Sequence, residues 1–109
     1  MITSLVKIYA SPQNQKDIKK ALKSLVAGVP VQTGCAGRYC TQDLKNRNAF
    51  FLFEEWQTAK DLERYLCSDQ YRKVLALLDM SVEAPVIRFD RVSARRGMDL
   101  IKAARQQGK

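Results

Sequence analysis

Histidine is absent from this 109-residue chain. That one gap removes the usual general base of a Ser or Cys triad, the commonest zinc ligand and the ordinary axial ligand of a heme. Cysteine is scarce too. Cys35, Cys40 and Cys67 are odd in number and form no C-x-x-C pair, which argues against both a disulfide framework and a cysteine-rich metal site and leaves reduced thiols. No stretch approaches the roughly 18 consecutive apolar residues of a membrane span. Met1-Ile2-Thr3-Ser4 runs straight into a strand-like segment without the basic and apolar regions of a signal peptide, so the expected location is cytoplasmic. Repeats, low-complexity segments and a linker to a second domain are also missing.

What is present suits one small domain. Hydrophobic residues make up 46% of the chain, and 19 Lys and Arg face 11 Asp and Glu. The excess of +8 sits at the ends: residues 1–23 carry +4, residues 24–87 carry −1 and residues 88–109 carry +5. Such a field favours anionic partners but says nothing of fold. Lys16, Lys19, Lys20 and Lys23 also read as the solvated face of a helix, so nucleic acid is not the expected partner.

Ile2 to Ala10 is rich in β-branched and apolar residues and stops at Ser11-Pro12, the pattern of a first strand. Ile18, Ala21, Leu22, Leu25 and Val26 follow at helical spacing, ending near Gly28 and Pro30. Cys35 to Leu44 reads as a second strand, Lys45 to Asn48 as a turn and Ala49 to Trp56 as a third strand, so the pair forms an antiparallel hairpin. Thr58 is placed to cap a helix running to Leu66, with Asp61 favourable to its N-terminus. Ser68 offers a second cap ahead of Tyr71, Val74, Leu75 and Leu78, at helical spacing to about Asp79. Ala84 to Ala94 makes a fourth strand. Gly97 then separates a basic tail helix with Leu100, Ile101 and Ala104 on one side, dividing the chain into a domain over residues 1–96 and a tail over 97–109.

This order is the α+β, ferredoxin-like βαββαβ plan with an antiparallel sheet. Two helices cover one face of such a sheet only. Ala49-Phe50-Phe51-Leu52-Phe53 is nevertheless apolar at both parities, so the other face needs a cover. A second copy of the same sheet is the simplest one, and a homodimer is expected.

Phe53-Glu54-Glu55-Trp56, a helix with Leu62 and Tyr65-Leu66, and then Ser68-Asp69-Gln70-Tyr71 resemble the antibiotic biosynthesis monooxygenase (ABM) domain family over roughly residues 2–94. The resemblance implies a dimeric α+β barrel, and a family that includes cofactor-independent oxygenases of aromatic polyketides, quinol oxygenases and heme-degrading monooxygenases. Trp56 matches the family's Trp at the end of the third strand. Heme-degrading members pair that Trp with an Asn on the first strand and a His on the following helix. Those places fall near Val6 and Leu75, which can neither ligate iron nor hydrogen-bond dioxygen, so heme degradation would need Tyr71 as a substitute ligand. Polyketide oxygenases carry an Asn shortly before the Trp, where this chain has Leu52 and Glu54. The Leu-x-x-His position of many members holds Tyr65.

On their own chemistry, Trp56 can stack on a planar aromatic, although a strand-end Trp facing a helix is more often core. Tyr65, on the apolar side of its helix, would bring a hydroxyl in need of a partner. Without histidine, proton abstraction from a phenol falls to Glu54, or to Tyr65 if a cation lowers its pKa. Arg38 and Arg88 can supply positive charge to a bound anion, or pair at the rim with Glu55 or Asp90. Cys67 reads as a buried thiol rather than a nucleophile.

Three functions compete. The first is an oxygenase of a small planar aromatic or quinol that needs no cofactor, because an electron-rich anion held in a dry pocket can itself reduce dioxygen. The second is a non-catalytic dimeric ligand-binding or regulatory module. The third is an RNA binder of the RRM type, whose aromatic strand motif Arg47-Asn48-Ala49-Phe50-Phe51-Leu52-Phe53 matches only loosely.

Overall fold

The computed structural model describes residues 1–27 and 33–107. Its elements are β1 (Ile2–Tyr9), α1 (Gln15–Ala27), β2 (Cys35–Gln42), β3 (Ala49–Trp56), α2 (Ala59–Leu66), α3 (Tyr71–Met80), β4 (Val86–Arg91) and α4 (Met98–Gln107). The order is the one the sequence pattern predicts, and the fold is α+β. The expected helix end at Gly28 and Pro30 lies outside the described residues. The second and fourth strands are shorter than expected: β2 stops at Gln42, leaving Leu44 fully exposed in the turn, and β4 spans six residues only.

The strands form one sheet in the order β2-β3-β1-β4, antiparallel throughout. Along β1 buried and half-buried residues alternate strictly, as a strand with one face on a core must. Ile2, Val6 and Ile8 point to the same side as Phe50, Leu52 and Trp56 of β3, where they meet Ile18, Leu22 and Leu25 of α1, Leu62 and Tyr65 of α2, and Val74 and Leu77 of α3. The opposite face carries Leu5, Phe51 and Phe53, half-buried, and Tyr39, exposed. Lys7 lies over the Tyr9 and Phe51 rings there, its ammonium 5.0 and 5.3 Å from the ring centres.

Local chemistry sets the helix that follows β3. Thr58, extended at φ −135°, accepts a hydrogen bond from the Asp61 backbone N–H at 3.1 Å, the cap expected from the sequence. Gly34, at φ +85°, closes against the Asp61 side chain, and its carbonyl accepts from the Gln57 N–H at 2.8 Å. A side chain at Gly34 would meet both a strained backbone and Asp61. The chain entering β2 and the start of α2 are thereby held together.

Ser68 does not cap α3. Gln70 occupies the cap position, and the Ser68 hydroxyl instead donates to the Tyr65 carbonyl at 2.6 Å, closing the end of α2. Cys67 is exposed at the C-terminal cap of α2, not buried as expected, because the chain turns between α2 and α3 and swings it outward. Beyond β4, α4 buries none of its residues, and Met98, Leu100 and Ile101 are each at least half exposed. Among the described residues, no helix is long and apolar enough to cross a membrane.

Candidate functional site

Strand parity puts a carboxylate into the core. Glu54 shares its side of β3 with Leu52 and Trp56 and stands across from Ser4 of β1 and Arg38 of β2, beneath the helices. It is 1% exposed. Charged groups are almost never buried so completely unless paired, and the pair is present: Arg38 Nε donates to Glu54 Oε2 at 2.7 Å. Of the two, Arg38 alone keeps some contact with solvent.

Aromatic rings complete the cluster. Trp56 is fully buried and stacks on Tyr65 of α2 with ring centres 4.7 Å apart. The Arg38 guanidinium lies 5.1 Å from the centre of the Tyr65 ring, and Tyr71 of α3 meets that ring edge-on at 5.2 Å. The Tyr65 hydroxyl approaches Glu54 closely enough to favour its carboxylate without forming a hydrogen bond. Three donors here are buried with no acceptor: Arg38 Nη2, Trp56 Nε1 and the Tyr65 hydroxyl.

The electrostatics follow from burial. Loss of water pushes the Glu54 carboxyl above its ordinary value, and Arg38, by its charge and its hydrogen bond, pulls back only part of the way. Burial, and then the negative Glu54, raise the Tyr65 hydroxyl well above the ordinary tyrosine value. Tyr65 is therefore a hydrogen-bond donor at neutral pH and no base: the Arg38 cation pulls its hydroxyl down, but by less than burial and Glu54 push it up. Burial raises the Cys40 thiol to about 11, leaving it an inert neighbour.

Of the five residues singled out from sequence, Glu54, Trp56, Tyr65 and Arg38 come together, and Arg88 does not. Arg88 stands opposite Leu5 on the other face of the sheet and pairs with Asp90 at 2.9 Å, both exposed. Arg38 finds Glu54 rather than Glu55, which pairs with Arg95 at 2.7 Å. Val6, at the position of the heme degraders' Asn, is core, and Leu75, near their His, is half exposed on α3. Tyr71, the alternative iron ligand, is packed against Tyr65. Among the described residues no three or more His, Cys, Asp or Glu side chains come together as a metal ion would need. Sequence reasoning missed the ion pair, although the shared parity of Glu54 and Trp56 signalled a carboxylate on the core face.

The model of the antibiotic biosynthesis monooxygenase family matches residues 1–77, and the chain belongs to that family. Solved structures agree on the fold. A protein of Deinococcus radiodurans, provisionally named an antibiotic biosynthesis monooxygenase, superposes with a TM-score of 0.79 at 17% identity, covering 89% of this chain and 97% of that one. A conserved protein of Methanosarcina mazei Go1 gives 0.73 at 23% identity, covering 83% and 90%. A Nitrosomonas europaea protein with the same provisional name gives 0.74 at 16%, covering 86% and 100%. A comparison with curated proteins finds no significant match. At these identities the likeness carries the fold, and function has to come from the site.

Glu54 yields a pH-dependent prediction. Its folded pKa lies above the unfolded one, so the folded chain holds the proton more tightly. Its contribution to stability is least favourable when it is ionised at neutral pH, grows as the pH falls through the folded value, and is complete below the unfolded value. The urea midpoint of the wild type should accordingly gain on that of Glu54→Gln as the pH is lowered from neutral. A gap between the two that stays constant with pH would show an unshifted carboxyl.

Proposed function

We propose that this protein is an oxygenase of a small planar aromatic or quinol substrate, working without a bound cofactor and as a homodimer. The observation that carries this reading is the buried Arg38–Glu54 pair set against the stacked Trp56 and Tyr65 rings. Glu54, with its affinity for a proton raised by burial, is suited to take one from a phenolic hydroxyl, and Arg38 to steady the phenolate that results. Trp56 and Tyr65 supply aromatic surface for the ring. A quinol brings the two electrons that the reaction needs. One atom of dioxygen enters the ring, the other leaves as water, and the quinol becomes a hydroxyquinone.

A non-catalytic binding module of the same fold is the second reading. It is favoured by Val6 and Leu75, which leave the site without the Asn and His that the resemblance associates with oxygen chemistry. The two readings are separated by dioxygen consumption with a panel of quinols and anthrones. The oxygenase reading predicts uptake that falls in Trp56→Phe and drops by about 10²- to 10⁴-fold in Glu54→Gln, with an acid limb in the rate profile above the usual carboxylate range. No uptake across the panel would leave the binding module.

The homodimer would pack the second face of the sheet, around Leu5, Phe51 and Phe53, against a second copy. Light scattering at micromolar concentration should give twice the chain mass, and Phe53→Glu should halve it. A wild-type monomer at that concentration would contradict this assembly.

A further inference from the structure

Two apolar surfaces at the C-terminal end of the chain are bare. β4 is exposed along its whole length. Ile87 and Phe89 stand opposite Val6 and Ser4 and so point to the helix side of the sheet, yet they are 45% and 42% exposed where Val6 and Ser4 are 1% and 3%. The reason lies in the roof. Among the described residues α1 lies against β2, α2 against β3 and α3 against β1, and none of them is seated mainly on β4. The second bare element is α4, where Leu100, Ile101 and Ala104 share one side and all three are exposed. A ten-residue helix that buries none of its side chains is marginal in water, so α4 needs a surface to pack on.

Its own β4 is not that surface. The chain measures 51 × 34 × 24 Å, with a radius of gyration of 16.4 Å against about 13 Å for a compact domain of this length. The segment between β4 and α4 is tied down. Val92 N–H donates to the Met1 carbonyl at 2.8 Å, and Arg95 Nη2 donates to Glu55 Oε2 at 2.7 Å. Glu55 lies with Phe51 and Phe53 on the sheet face turned away from the helices, so α4 leaves the sheet on that side. Folding back over Ile87 and Phe89 would break the Arg95 pair. Charge is unbalanced in the same region: among the described residues Lys102 and Arg105 of α4, and Asp79 and Glu83 ahead of β4, have no ionic partner.

We infer that α4 is an exchange arm: its Leu100, Ile101 and Ala104 face packs on the bare β4 of a second copy of this chain, over Ile87 and Phe89, and that copy's α4 returns the contact. The exchange is two-fold symmetric, so it covers both bare surfaces at once and closes the assembly at two chains. An arm running opposite to the strand it covers brings Lys102 and Arg105 toward the acids that precede that strand. The inference rests on the proposed homodimer in taking a second copy as the occupant, and differs from it in the surface used. The sheet faces around Leu5, Phe51 and Phe53 make one contact and the arms another. Both β4 and α4 lie beyond the residues 1–77 that the family model matches, so nothing in that match supplies the arm.

Sedimentation of the protein over a dilution series measures the dissociation constant of the dimer. The paired change Leu100→Ser and Ile101→Ser should raise that constant by at least about a hundredfold, and Phe89→Ser by about tenfold. All three side chains are at least two-fifths exposed in the single chain, so its fold should survive, which near-ultraviolet circular dichroism of the buried Trp56 checks. A photoreactive benzoylphenylalanine at position 101 should join two chains on illumination, and the joined peptide should contain Val86–Arg91. An unchanged dissociation constant in the paired variant, or a photoproduct confined to one chain or joined to the second chain away from β4, would overturn the inference. A monomer whose α4 attaches to anionic lipid vesicles would overturn it as well. The two contacts fail separately. A dimer broken by Phe53→Glu and untouched by the α4 change loses the arm alone, whereas a dimer broken by the α4 change and untouched by Phe53→Glu loses the sheet-to-sheet contact alone.

Discussion

A carboxylate held out of water governs much of this structure. An isolated ionised carboxyl in an apolar core costs so much that it would be neutralised by protonation, and Glu54 is kept as a partner for Arg38 by a 2.7 Å hydrogen bond. Removing either member strands the other, at a cost of about 3–5 kcal/mol. Such a pair is a poor way to gain stability, because apolar residues of similar volume would do as well or better. Its retention beside stacked rings and three unsatisfied donors makes sense as a site, where a poised charge and free hydrogen-bonding capacity are what binding requires.

The sheet separates two tasks. Its inner face, roofed by α1, α2 and α3, encloses the apolar core and the polar cluster within it. The outer face offers Leu5, Phe51 and Phe53 and leaves Arg88 to a surface ion pair. The tie between Gly34 and Asp61, with the Thr58 cap, fixes where α2 starts and hence where Tyr65 meets Trp56. Backbone chemistry some distance from the rings thus sets the geometry of the site.

The order of elements was legible because long segments repeat cleanly: Ile18, Leu22 and Leu25 at helical spacing, and Ile2, Ser4, Val6 and Ile8 at strand spacing. The partner of Arg38 was not. It depends on the register between β2 and β3, which shifts at Cys35 and Gly37, and a slip of one residue turns every side chain to the other face. Tyr65 was recognisable as a buried hydroxyl, and burial is the larger cause of its raised pKa; what the sequence hid was that Glu54 adds to the rise and outweighs Arg38. The break after Leu66 was legible, but the side to which the cap residue Cys67 turns was not, and it faces solvent.

The family assignment fixes the fold and leaves the chemistry to these few side chains. The whole account turns on Glu54 being an ionised carboxylate in the core with an elevated affinity for protons. Infrared difference spectra of the wild type against Glu54→Gln, followed through acidification, measure this directly. The account predicts a carboxylate band at neutral pH that gives way to a protonated carboxyl band above the ordinary glutamate range. A carboxylate that titrates at or below that range, as a solvated surface group does, would contradict it.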